Sequence, residues 1–304
     1  MIDIRVVTDL KMAETLWREI SPRRVIFDDW DFRYGFYKYE PYPLYFKAAY
    51  EISPDRAGQA KEELVALMPL VDYDDYGHGF IAEEPCEENR VFIKPGREDV
   101  IKLMYESVSQ EKIQFYDISG EDEFTVKLPI EDYKYVLPLA GFKDFTDFMS
   151  SRLSPKRRHS LEKELATIDK LKPEIVLNDW TDLDNLFKLN VDSFAGESYL
   201  SKEEERRPWR ELIKLPFDWR LISLRLGGQT IAVSFSVLYN GYYHYLITGV
   251  DFQNYPGLGK YLNKINIEEA IKANARYFDA GLGDCGWKNL WHFDAIAQYE
   301  YVNF

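Results

Sequence analysis

The sequence predicts an α/β protein with mixed sheets (α+β in detail), divided into two similar units by a pair of linking helices. Three observations carry this expectation. Short apolar or alternating runs bounded by turn residues mark strands in both halves. Stretches of helical period lie between them. In the second half the elements follow the order β-α-α-β-β-β-α-β-α, which sets helices on the faces of a sheet. A length of 304 residues suits two domains, and 46% hydrophobic with 30% charged residues suits packed cores and wetted surfaces. The expected division is 1–141 for the first unit, 142–173 for the linking helices and 174–304 for the second unit.

In the first unit, residues 44–52 and 63–71 read as paired strands, with Ser53, Pro54, Asp55 and Gly58 supplying turn chemistry between them. Residues 98–109 put Val100, Ile101, Leu103, Met104 and Val108 at helical spacing, and 113–118 follow as a strand. Residues 142–153 and 160–171 are helical and separated by Ser154 and Pro155. A strand over 174–177 precedes Thr181 and Asp184, spaced as a capping box for a helix with apolar residues at Leu183, Leu186, Phe187, Val191 and Phe194. Ser201 and Glu204 suggest a second box. Residues 219–226, 230–238 and 242–250 are three strands, joined by Gly227-Gly228-Gln229 and by Asn240-Gly241, a type I′ hairpin pair. A helix over 258–273, a strand over 276–279 and a final helix over 284–292 complete the expectation.

Composition narrows the function. Lys and Arg total 38 against 52 Asp and Glu, a net charge of −14, which argues against tight binding to a nucleic-acid backbone. No apolar run reaches the roughly 18 residues of a membrane span, and Met1-Ile2-Asp3-Ile4-Arg5 does not open a signal peptide. Cys86 and Cys285 form neither a disulfide framework nor a metal cluster, and they suit a reducing compartment. The expectation is a cytoplasmic protein with no metal, no nucleic-acid partner and no membrane partner.

The sharpest local feature is Asn254-Tyr255-Pro256-Gly257-Leu258-Gly259, between a strand and a helix. Glycines there allow close backbone approach, and the first N–H groups of the helix suit a pyrophosphate. An ordinary turn has the same glycines, so the surrounding order matters. That order, with Asn254, Gly257 and Gly259 in the loop, resembles the GNAT acyltransferase superfamily. The stretch Arg225 to Ala232 looks like its turn between the second and third strands. The ending from Arg276 through Asp279, Gly281, Trp287 and Lys288 to Trp291, and the segment 145–165 with Lys156, Arg157 and Arg158, resemble the FemAB-like, tandem-GNAT branch. Asn254 and Trp287 depart from the residues usual at their positions.

The resemblance implies an acyl-CoA N-acyltransferase fold in two GNAT-like units, the second holding acetyl-CoA or another acyl-CoA. The implied cofactor contacts are Thr248, Gly249, Val250, Asn254, Tyr255, Pro256, Gly257, Leu258, Gly259 and Lys260. Its implied reaction is direct attack by the amine of a small molecule or peptide on the thioester, which needs alignment, a polarised carbonyl and a base. Asp279 at a strand end and His244 on the preceding strand are the candidate bases. Tyr76 and His78, in the loop from Asp72 to Gly79, and Trp287 with Lys288 are candidate contacts to the acceptor, which is expected to enter between the units. Arg152, Lys156, Arg157, Arg158 and Lys163 form the one basic cluster, either a phosphate contact or a solvated helix face. Two alternatives stand beside this activity: a Fem-type transferase using aminoacyl-tRNA, and a non-catalytic protein of the same fold that binds CoA or another ligand.

Overall fold

A computed structural model describes residues 1–54, 59–83 and 85–303. The chain divides into a first unit, Met1–Tyr133 with Ala297–Phe304, and a second, Lys134–Ile296.

In the first unit β1 (Ile2–Val7) leads through α1 (Leu10–Ile20) and α2 (Trp30–Tyr37) to β2 (Leu44–Pro54), β3 (Ala60–Asp72) and β4 (His78–Phe80). These four strands are antiparallel neighbours in chain order. A short β5 (Phe92–Ile93) pairs with β3, and α3 (Ile101–Glu106) leads to β6 (Ile113–Ser119), which lies parallel to β4. α1 begins where the Asp9 carboxylate accepts the Met12 N–H at 2.8 Å, an N-cap that satisfies one orphan donor. It buries Ala13, Leu16 and Trp17, and the Trp17 ring meets Phe92 edge-on at 4.7 Å. The strands expected over 44–52 and 63–71 are present. Part of the turn expected between them lies outside the described residues. The helix expected over 98–109 is shorter, a 3-10 turn followed by α3.

β7 (Ile130–Pro138) enters the second unit at Lys134. α4 (Phe145–Arg152) and α5 (Pro155–Asp169) follow, then β8 (Glu174–Leu177), α6 (Leu183–Ser193), α7 (Glu203–Leu212), β9 (Asp218–Leu226), β10 (Gln229–Tyr239), β11 (Tyr242–Val250), α8 (Leu258–Lys272) and β12 (Tyr277–Leu282). β8 to β11 are antiparallel neighbours, β12 runs parallel to β11, and β7 pairs antiparallel with β12. Both units therefore repeat strand, two helices, three strands, helix and parallel strand, with β5 inserted in the first. A last strand, β13 (Asp294–Asn303), pairs antiparallel with β6 and went unread in the sequence. The Asn240-Gly241 hairpin has φ 46° and 82°, as its residue types predict.

Several local expectations are corrected. Ser154 and Pro155 open α5 rather than merely separating two helices: the Ser154 side chain accepts the Arg157 N–H, and Pro155 fills the first helical position, where a missing N–H costs nothing. Thr181 is not an N-cap, because its hydroxyl and N–H both donate to Asp179. The box expected at Ser201 is absent; Ser198 caps a 3-10 turn instead, and α7 starts from Lys202 without a side-chain cap. The final helix is only a 3-10 turn, Lys288–Trp291, since Gly283 and Gly286 both take positive φ.

One apolar core in the second unit fixes the helices around the candidate site. Leu258, Leu262 and Ile265 of α8 pack with Phe148 of α4, Leu161 and Leu165 of α5, Tyr243 of β11 and Phe278 of β12. α8 and α5 therefore cover the same face of this sheet.

Candidate functional site

The parallel ladder between β11 and β12 holds at Tyr242–Tyr277, Tyr243–Phe278 and His244–Asp279, and there it ends. Beyond it β11 runs on to Val250, and its edge groups need other partners. α6 supplies some of them. Asn190 Nδ2 donates to the Thr248 carbonyl at 2.7 Å, and the Val250 N–H donates to Ser193 Oγ at 3.2 Å. Gly249 permits this approach: a Cβ there would sit 2.6 Å from the Asn190 backbone nitrogen. Some of the backbone groups that the resemblance assigned to the donor are thus engaged by α6, a consequence of leaving a strand edge open.

The chain then turns through the glycine loop. Gly257 is the N-cap of α8 at φ 90°, with no side-chain cap. The Leu258 N–H bonds the Tyr255 carbonyl at 3.1 Å, and the first bond of the helix is Tyr261 N–H to Gly257 C=O at 3.2 Å. The Gly259 and Lys260 N–H groups fall in the open first turn, where orphan donors and the helix dipole favour an anion. A cavity of about 630 Å³ lies against this turn. Thr248, Val250, Pro256, Gly257, Gly259 and Lys260 line it, as do Tyr245, Asn263 and Trp287. Glu164 of α5 also faces it and ion-pairs with Lys260. Gly259 leaves room for the Phe252 ring, which a Cβ would meet at 2.7 Å.

Other expected cofactor contacts fall elsewhere. Leu258 is fully buried in the core. Tyr255 packs against that core from the side. Asn254 turns away from the cavity: its N–H and its amide both donate to Asp251. It lines a second cavity, of about 930 Å³, with Asp192, Gly228 and Asp251.

The two candidate bases do come together, but not at the cavity. His244 is 1% exposed and Asp279 2% exposed, with His244 Nδ1 3.0 Å from Asp279 Oδ2. Lys134 of β7, which sequence reasoning missed, brings its ammonium to 2.7 Å from the same oxygen. Alternation explains the placement. Tyr243 and Tyr245 point to α8, where their hydroxyls donate to Asn266 and Asn263, so His244 points to the opposite face. Burial works to raise the Asp279 pKa, but the Lys134 charge and the His244 hydrogen bond outweigh it and hold the carboxyl below its ordinary value. Asp279 is thus placed as the buried counter-ion of Lys134, away from the cavity lining.

Trp287 lines the cavity and packs edge-on against Tyr245 and Phe293. Lys288 is buried, and its ammonium donates to the Gly281 carbonyl at 3.0 Å. It therefore fastens the end of β12 instead of lining the cavity. Tyr76 is exposed on a 3-10 turn of the first unit. His78, on β4, stands 3.8 Å from both Asp72 and Glu111. Within the basic cluster Arg152 faces Asp294, and α5 presents Glu164 and Thr167 to the cavity rather than its cations. Among the described residues no three His, Cys, Asp or Glu side chains form a metal-binding group, and no helix is long and apolar enough to cross a membrane.

A family model described as an acetyltransferase (GNAT) domain matches residues 155–289, which span β8 to β12 and this cavity. That part of the chain is a GNAT domain. FemX shares the fold over 98% of this chain and 97% of its own, with 9% identity and a TM-score of 0.61. L-PGS from Bacillus licheniformis covers 97% of this chain and 92% of its own, with 10% identity and a TM-score of 0.60. The C-terminal domain of a protein assigned as a lysylphosphatidylglycerol synthetase in Agrobacterium fabrum gives 95% and 92% coverage, 10% identity and a TM-score of 0.57. No curated protein sequence matches the chain. The topology is repeated in the two units, and the fold of the whole chain is one shared with FemX and L-PGS.

Proposed function

We propose that the chain is an N-acyltransferase that takes an acyl group, acetyl in the simplest case, from CoA and passes it to an amine by direct attack. The carrying observation is the cavity of about 630 Å³ at the end of β11, walled by the uncapped first turn of α8. The open N–H groups of Gly259 and Lys260 would receive the diphosphate. The largely apolar wall from Tyr245, Val250, Phe252 and Trp287 suits the uncharged arm that carries the thioester. Holding amine and thioester together replaces an entropic barrier, and that alignment is the main service this site offers.

A second donor is supported by a different observation. The full-length likeness to FemX favours a Fem-type transferase that draws on aminoacyl-tRNA. The net charge of −14 and a cavity into which α5 projects Glu164 weigh against a polyanionic donor of that size.

Thiol release from acetyl-CoA over a panel of small and peptide amines separates the readings. The proposal expects release that depends on one class of amine and exceeds thioester hydrolysis. Binding without turnover on any amine would favour a ligand-binding module, and transfer from charged tRNA alone would favour the Fem-type donor.

A further inference from the structure

Two asparagines on α8 are buried beneath β11, one turn apart, and their hydrogen bonds differ. Asn266 is saturated. Its Nδ2 donates to the Leu262 carbonyl and to Ser234 at 2.9 Å each, and its Oδ1 accepts from Tyr243 at 2.9 Å. Asn263 is 8% exposed and lines the cavity. Its Oδ1 accepts the Tyr245 hydroxyl at 3.0 Å, whereas its Nδ2 has no hydrogen-bond partner among the described residues. An amide whose oxygen is already engaged and whose donors open on a cavity can donate to an acceptor group of a ligand there.

One end of that amide is held by the Tyr245 hydroxyl. Burial pushes the Tyr245 phenol well above its usual pKa, so it keeps the proton that it donates to Asn263 Oδ1. With the oxygen held by Tyr245, the nitrogen is the end left for the cavity. Asn263 sits four residues beyond Gly259 on the same helix face, about 6 Å along the axis from the glycine turn. A chain whose anionic end rests on that turn would bring a neutral carbonyl to Asn263.

We infer that Asn263 is a positioning residue for the donor: its side-chain N–H donates to an amide or thioester carbonyl of the acyl-CoA arm and sets how far the arm runs along α8. This rests on the CoA assignment above and deepens it, because it places the specificity for an amide-bearing chain in one side chain. Tyr245 acts through Asn263 by holding its oxygen.

Calorimetric affinities for CoA and for adenosine 3′,5′-bisphosphate, which lacks the arm, test the inference on the full chain. In Asn263→Leu, an apolar near-isostere, CoA affinity should fall about tenfold while the bisphosphate affinity stays within about twofold of wild type. Asn263→Asp keeps the volume and the Tyr245 bond but removes the donor, and it should show the same split if the leucine variant folds poorly. Equal weakening of both ligands would mean a merely structural role and overturn the inference. Unchanged CoA affinity in both variants would overturn it with the CoA assignment intact. Binding of neither ligand to wild type would overturn the CoA assignment and the inference with it.

Discussion

Gly257→Val should lower donor affinity about a hundredfold while the protein stays folded. Gly257 has φ 90°, a backbone conformation that costs a β-branched residue on the order of 1–3 kcal/mol. A Cβ built there meets nothing within 4 Å, so the loss comes from backbone conformation and not from collision. Relief of that strain turns the loop and tilts the first N–H groups of α8 away from the cavity. Charge-assisted bonds to a diphosphate are worth about 1.5–3 kcal/mol each, and about 2.7 kcal/mol is a hundredfold in affinity. Gly259→Val should act by another route, since its Cβ would lie 2.7 Å from the Phe252 ring and push that ring within the cavity it lines. Calorimetry against CoA, with circular dichroism as the check on folding, reads both. Wild-type affinity in either folded variant would remove the glycine turn from the donor site.

Lys134→Met should cost about 3–5 kcal/mol of stability, the expected penalty for stranding a buried charge. Asp279 and Lys134 are 2–3% exposed and 2.7 Å apart, with little water to take over the solvation of the carboxylate. Converting Asp279 to Leu as well should recover much of the loss, because the remaining pair of apolar groups leaves no unpaired charge. The pH dependence has a definite sign. Asp279 has a folded pKa below its unfolded one, so its contribution is present above about pH 4 and is lost as pH falls towards the folded value. Urea denaturation at about pH 7 and about pH 3.5 should show this acid loss in wild type and less of it in Lys134→Met. A single variant within about 1 kcal/mol of wild type at neutral pH would contradict the account of the buried cluster.

Much of the second unit was legible because its elements announce themselves locally. The strand ends at Asn240 and Gly241 follow from residues that tolerate positive φ, and the loop from Asn254 to Gly259 shows its glycines at the place where a helix starts. What could not be read depends on contacts distant in sequence. Lys134 looks like an ordinary lysine in an alternating strand until β7 pairs with β12 and sets it against Asp279. The face of β11 that carries His244 is fixed by where Tyr245 finds Asn263, 18 positions away. Asn263 itself carries no sequence signal, since an asparagine on a helix is a site only when its neighbours leave its amide unmatched. In the first unit β1, β4 and β5 escaped because β4 and β5 are too short to show a period, and β1 is only partly buried.

Titration of the wild-type protein with acetyl-CoA in a calorimeter tests the central claim most directly. A single site is expected, with an affinity that weakens as salt screens the diphosphate at the start of α8. Absence of heat and of displacement by CoA at millimolar ligand would contradict it.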